Sequence, residues 1–269
     1  MPVHFASPSN TLAPYIKRYW AIENTLDKGE TCVQRIIPTG LSELMLYFTP
    51  RPKILTGNKR LSDNVALYGL QNDFYDMELA GELSVFSIVF QPQGLMRFFK
   101  FPLHEICNQN VPLKFLCGQA GRDLEEKMGE AATFQQRVGI VEAYLQDLLR
   151  NNLLDFEFRR ISHIVELIKR TKGNILIPQM ASEACLSRKQ FERIFSGHIG
   201  ISPKQYLKII RFQFAIFLKQ RNAGLNMTEL SCDSGYFDQS HFISDFKSLS
   251  GLTPKRYFAE DGVCSDFFG

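Results

Sequence analysis

Two short stretches near the end of the chain limit what it can fold into. The first is Ser187 to Ile194, SRKQFERI, and its echo is Asp238 to Phe246, DQSHFISDF. Each opens on a side-chain oxygen able to accept from the N–H groups of a first helical turn. Phe191, Ile194 and Phe195 then follow at i, i+3 and i+4, and Phe242 and Phe246 at i and i+4. Each stretch is therefore a helix with one apolar stripe to bury. A shorter helix and a turn precede each of them. Pro178 opens the first, which packs through Met180, Ala181 and Ala184 and turns at Cys185-Leu186; Thr228 to Ser234 forms the second, with Leu230 inward and Gly235 at the turn. Between the two units, Pro203 to Arg221 reads as one helix of about 28 Å. Ahead of both, Arg160 to Lys172 carries Ile161, Ile164, Val165 and Ile168 on one face, and Gly173 can end it in a left-handed turn.

The outward positions decide the chemistry. In the first unit they are Arg188, Lys189, Glu192 and Arg193; in the second, Gln239, Ser240, His241 and Ser244. A major groove admits one helix, whose N-terminal side chains reach base edges. Arg bridges guanine O6 and N7, Glu accepts from cytosine N4, and Gln pairs with adenine N6 and N7. Lys204, Lys255 and Arg256 complete the candidate DNA contacts, the last two in a final helix after Thr253-Pro254 and placed for phosphates. With its reading helices offset from the ends of the connecting helix, the pair could span the ~34 Å of one DNA turn. For one such helix alone a solvated face is the commoner reading; two in tandem favour DNA.

Charge agrees. Residues 158–260 hold 16 Lys and Arg against 8 Asp and Glu, whereas 1–157 hold 15 against 18. A basic half joined to a slightly acidic half suggests that the basic half meets a polyanion.

The C-terminal half resembles the AraC/XylS family of bacterial transcription regulators. The resemblance is carried by ASEACLSRKQFERIFSGHIGISPKQYLKIIRFQFA and GYFDQSHFISDFKSLSGLTPKRYF, with Gly200-Ile201-Ser202-Pro203 and Gly251-Leu252-Thr253-Pro254 at equivalent points. It implies two helix-turn-helix units joined by a rigid helix, double-stranded DNA and RNA polymerase as partners, and base reading by the outward residues named above. Position 244 often carries Arg or Lys in relatives and position 185 often Gly; here they are Ser244 and Cys185. The first unit is therefore expected to discriminate more than the second. IIPTGLSELMLYF and FQPQGLMRFFKFPLHEI resemble the β-rich regulatory domains attached to this family, which implies a small-molecule effector, a homodimer, or both.

The N-terminal half alternates strand-like runs with Gly, Pro and Asn. Residues 1–10 read as a loose lead-in. Strands are expected over Tyr15–Glu23, Thr31–Ile37, Glu43–Phe48, Val65–Leu70, Phe74–Leu79 and Ser84–Phe90, with Pro38-Thr39-Gly40 as a turn. The last is too apolar for an exposed edge. Short helical pieces follow near Leu95–Phe99, Leu113–Leu116 and Asp123–Met128. Phe134, Val138, Val141, Leu145 and Leu148 then form a heptad-like seam, either packed on the sheet or used for dimerisation. Tyr47, Phe86 and Phe90 are pocket candidates, though core is the commoner fate of such aromatics.

The expected fold is α+β. Residues 1–152 form a β-sandwich or barrel-like regulatory domain with helices, 158–260 an all-α domain of two helix-turn-helix units joined by a long helix, and 261–269 a tail that is mobile or packs loosely. The linker is Asn151 to Glu157. No cofactor, metal or catalytic residue is expected: the six cysteines make no CxxC pair and the five histidines are dispersed. No run resembles a membrane span or a secretion signal, so the expected location is cytoplasmic, on the nucleoid. Two other functions compete with the regulator reading. One is a DNA-directed alkyl-transfer enzyme, which would need an activated cysteine; the other is a ligand-binding module whose DNA grip has weakened at Ser244.

Overall fold

A computed structural model describes residues 3–27, 29–56, 63–150, 156–259 and 268. The N-terminal half holds two antiparallel sheets. The strands are β1 (Val3–Ala6), β2 (Ile16–Thr25), β3 (Thr31–Ile36), β4 (Glu43–Tyr47), β5 (Lys53–Ile54), β6 (Val65–Tyr68), β7 (Tyr75–Ala80), β8 (Glu82–Phe90) and β9 (Asn110–Pro112). The larger sheet runs β1-β2-β8-β4-β6-β9 and the smaller β3-β7-β5. Strand β8 is central because both of its faces are covered. Phe86, Ile88 and Phe90 point into a core with the helices on one face. On the other face Val85 packs with Tyr47, Ala66 and Tyr68, and Val89 joins the core of the C-terminal helices.

The outer face of the large sheet is closed by α2 (Gln119–Glu130) and α3 (Phe134–Arg150), with the short α1 (Leu113–Cys117) leading in. Leu124, Met128, Val141 and Leu145 are buried there, and Phe134, Val138 and Leu148 pack beside them. The heptad-like seam therefore lies on the sheet. Glu142 fixes the helix by accepting from the Ser9 backbone N–H at 2.6 Å and the Tyr19 hydroxyl at 3.3 Å.

Several expectations need correction. The lead-in is a strand: Val3–Ala6 pairs with Ala21, Trp20 and their neighbours on β2. A short strand escapes notice when only one face of it is apolar. Pro38-Thr39-Gly40 does not close a hairpin, because β3 and β4 belong to different sheets; the segment is a crossover. Phe86 and Phe90 are fully buried core residues rather than pocket walls. Of the expected linker, residues 151–155 lie outside the described residues, and Phe156 and Glu157 already belong to a helix. In the tail only Phe268 is described, and its ring meets Phe214 at 5.2 Å and Phe217 at 5.8 Å.

The C-terminal half comprises α4 (Phe156–Arg170), α5 (Ile177–Glu183), α6 (Arg188–Ile199), α7 (Pro203–Arg221), α8 (Met227–Asp233), α9 (Gln239–Ser250) and α10 (Pro254–Ala259). Its core does not stop at its own boundary. Ile37, Leu41, Leu70 and Val89 of the β-rich half lie in one cluster with Ile164, Phe195, Ile210, Phe212 and Phe246. At the seam, the fully buried Gln213 of α7 donates from Nε2 to the Pro38 carbonyl at 2.8 Å. Arg35 grips Asp76 with Nε and Nη2 at 2.7 and 2.9 Å and donates from Nη1 to the Ser250 carbonyl at 3.1 Å. Those hydrogen bonds from Arg35 hold the Asp76 carboxyl below its ordinary value. The pair thus stabilises the fold above about pH 4 and fades as the carboxylate is protonated below it.

Two glycines complete the seam. Gly200 and Gly251 end α6 and α9 in left-handed turns, with φ of 102° and 74°. A side chain at Gly251 would stand 2.6 Å from the Phe74 ring, and one at Gly200 would stand 3.3 Å from the Leu103 carbonyl. Gly251→Ala should therefore cost about 1 kcal/mol of backbone strain plus the displacement of Phe74. Gly81, with φ of 64° and open space around it, should cost the strain alone. Urea denaturation of both variants, and of Gly251→Ala with Phe74→Ala, checks this: the second substitution should return part of the loss. Equal costs at the two glycines would remove the contact.

Candidate nucleic-acid interface

The first unit is α5, a turn and α6. Helix α5 starts with Pro178 in its first turn, where no N–H is missed. The turn passes through Cys185 at φ 52°, a left-handed conformation. The geometry that glycine would supply is kept with a cysteine, at about 1–2 kcal/mol. Ser187 then caps α6 reciprocally. Its hydroxyl accepts from the Gln190 N–H, and the Gln190 side chain accepts from the Ser187 N–H. Phe191, Ile194 and Phe195 are buried, so the rotation of α6 is fixed. Arg188, Lys189 and Arg193 are exposed, and Glu192 is half-exposed. Arg188 Nε donates to Glu192 Oε1 at 2.9 Å, so two of the candidate base readers hold each other one turn apart.

The second unit repeats this with different atoms. Asn226, which the sequence reading did not single out, caps α8 by accepting from the Thr228 and Glu229 N–H groups at 3.0 and 2.9 Å. Glu229 accepts the Asn226 N–H in return at 2.9 Å. The pattern Asn-x-x-Glu before a helix was the available signal. Gly235 turns the chain at φ 77°, and Asp238 caps α9 by accepting the His241 N–H at 2.7 Å. Phe242 and Phe246 are buried. Gln239, Ser240 and Ser244 face solvent, as does His241.

His241, however, does not stand alone on that face. Its Nε2 lies 3.4 Å from Asp245 Oδ2 and its ring meets Tyr236 edge-on at 5.4 Å. Asp245 is buried and also takes Lys208 at 3.1 Å and Arg211 at 4.0 Å, both from α7. Lys208 Nζ further donates to Ser248 Oγ at 2.6 Å. The cluster fastens the second reading helix to the connecting helix. Sequence reasoning missed it because Lys208 and Arg211 sit 37 and 34 residues before Asp245, beyond any local spacing rule. Lys204 is exposed in the first turn of α7, and Lys255 and Arg256 are exposed on α10. Every candidate DNA contact lies on α6, α7, α9 or α10. The seam with the β-rich half takes the far ends of α6 and α9, so it leaves their reading faces open.

Burial pushes the Cys117 thiol up, away from the thiolate an alkyl acceptor needs. Among the described residues no group of His, Cys, Asp and Glu is placed to hold a metal ion, and no helix is long and apolar enough to cross a membrane.

Comparison with known proteins follows the same division. Residues 180–260 match the helix-turn-helix domain family HTH_18, and residues 4–112 match a domain of unknown function, DUF6597. The chain is 32% identical over 94 residues to an uncharacterised HTH-type transcriptional regulator of Haemophilus influenzae, covering 35% of this chain and 31% of that protein. It is 27% identical over 120 residues to the probable transcriptional regulator LumQ of Photobacterium leiognathi, covering 42% and 48%. It is 26% identical over 123 residues to the XylDLEGF operon transcriptional activator 1 of Pseudomonas putida, covering 43% and 37%. The chain thus spans less than half of the length of these relatives, from 31% to 48%. Among solved structures it is similar to ToxT of Vibrio cholerae, with 13% identity, a TM-score of 0.49, and coverage of 90% of this chain and 98% of that one.

Removing the anchor beneath the second reading helix should be costly. Asp245→Ala leaves the half-buried Lys208 and Arg211 facing no carboxylate and should lower stability by about 2 kcal/mol. Asp238→Ala, which removes only an exposed cap, should cost about 1 kcal/mol. Chemical denaturation of both variants checks the order. If Asp238→Ala were the more damaging, the cluster would not be what holds α9.

Proposed function

We infer that this chain, whose C-terminal module is a helix-turn-helix domain of the AraC/XylS type, is a sequence-specific DNA-binding transcription regulator controlled by its N-terminal domain. One observation carries the reading: two capped helices, each buried along one stripe and exposed along the other, hang on a single unbroken connecting helix. Arg188, Lys189, Glu192 and Arg193 read one major groove, and Gln239, Ser240, His241 and Ser244 the next. Lys204, Lys255 and Arg256 meet phosphates. The partner is double-stranded DNA, and the regulator acts on RNA polymerase in the cytoplasm, on the nucleoid.

Control belongs to the β-rich half because both reading helices rest on it. A small effector bound there acts only if it prefers one arrangement of the two units. Between the sheets, Tyr47 and Tyr68 face Tyr75 and Glu43, and burial pushes all three phenols well above their ordinary range. These hydroxyls, with Ser87 donating to Glu43 at 2.6 Å, are polar groups in an apolar layer and suit a small polar effector. A homodimer is part of the reading too. The seam of α3 is already covered by the sheet, so the dimer uses another face.

Selection of sites from random duplex DNA tests the function. The full chain should enrich a motif of two blocks about one turn apart, with affinity falling steeply as salt rises. Arg193→Ala should relax one or two base positions at about 1–3 kcal/mol each. Lys255→Ala should weaken every sequence alike. No enrichment at low salt would overturn the regulator reading, and an unchanged motif with Arg193→Ala would remove that residue from base reading.

A further inference from the structure

The two reading faces are chemically unlike. Helix α6 offers Arg188, Lys189, Glu192 and Arg193, all charged. On α9, the corresponding face holds Gln239, Ser240, Ile243 and Ser244, all neutral. Ile243 lies one turn beyond Gln239, so the two share a face, and it is 36% exposed. The opposite stripe, Phe242 and Phe246, is fully buried, which fixes that orientation. His241 on the flank of that face reaches Asp245 at 3.4 Å, and Lys247 stands a further turn along, toward the far end of the helix. Immediately ahead of the α9 cap stands Phe237, 99% exposed. It is not a core residue displaced from its slot. The slot is filled by Tyr236, whose ring packs against Phe242 at 5.2 Å.

An apolar side chain aimed at a major groove meets mostly hydrogen-bonding edges, which it would dehydrate without compensation. The thymine C5-methyl is the exception. On the reading of this chain as a DNA-binding regulator, we propose that the second unit recognises A·T pairs through thymine methyl groups. Ile243 and Phe237 touch the methyls, and Gln239 pairs with adenine N6 and N7. The second block of the binding site is therefore A·T-rich, whereas the first, facing Arg and Glu, is rich in G·C pairs.

Deoxyuridine is thymidine without the methyl, so it isolates the contact. Full-length protein would be titrated with its selected site by fluorescence anisotropy, and with copies in which each thymine is replaced singly by deoxyuridine. Wild type should lose about fourfold in affinity for each contacted methyl in the second block and little in the first. Ile243→Ala and Phe237→Ala should each bind the parent site about as weakly as wild type binds the matching uracil site. Each should be indifferent to that one replacement. Both side chains are exposed, and retention of the first-block motif shows that the variants are folded. A G·C-rich second block, or equal binding of thymine and uracil duplexes by wild type, overturns the proposal and leaves the regulator reading standing. If Phe237→Ala weakens both duplexes alike, its ring meets the backbone and the methyl contact is refuted for that residue. Failure to select any site overturns both readings together.

Discussion

Gln213 is the constraint on which the arrangement of the two halves depends. It sits in the middle of the connecting helix, fully buried, on a face shared with Ile209, Ile210 and Ile216. A buried amide without a partner costs several times what an ordinary hydrogen bond contributes. The Pro38 carbonyl supplies a partner, and it comes from the other half of the chain. Proline keeps that carbonyl in an extended segment between the two sheets. Ile37 and Leu41 flank it and enter the same core as Phe212 and Phe246. The helical half and the β-rich half are thus closed over one another around a buried polar contact.

That closure explains what the sequence could and could not show. The helices of the C-terminal half were legible because each carries its own local signal: Ser187 and Asp238 as caps, Phe191-Ile194-Phe195 and Phe242-Phe246 as stripes, Pro203 and Pro254 as starts. The candidate reading residues followed from the same periodicity, since whatever is not in the stripe faces out. Strand β8 was legible for the opposite reason, a run with no polar face at all.

What stayed hidden was non-local. Asp245 reads as one more surface carboxylate until Lys208 and Arg211 are brought against it by the packing of α9 on α7. Arg35 and Asp76 fall on neighbouring strands 41 residues apart, and nothing near either announces the Ser250 carbonyl. Val3–Ala6 becomes a strand only because β2 offers a free edge. Ile243 could have been placed from its spacing alone. Hydrophobic residues are habitually assigned to the core, and its exposure had to be seen.

The two glycines that end the reading helices rest on different parts of the β-rich half. Gly251 bears on Phe74, beside β7 of the small sheet, where Arg35 of β3 also reaches the end of α9. Gly200 bears on Leu103, in the segment that follows β8 of the large sheet. Gln213 rests between them at the crossover from one sheet to the other. The molecule has the layout of a pair of callipers, with one jaw seated on each sheet and the pivot at the crossover. A slip of one sheet over the other, too small to disturb either, would be delivered at the far ends of α6 and α9 as a change in the gauge between the two helices.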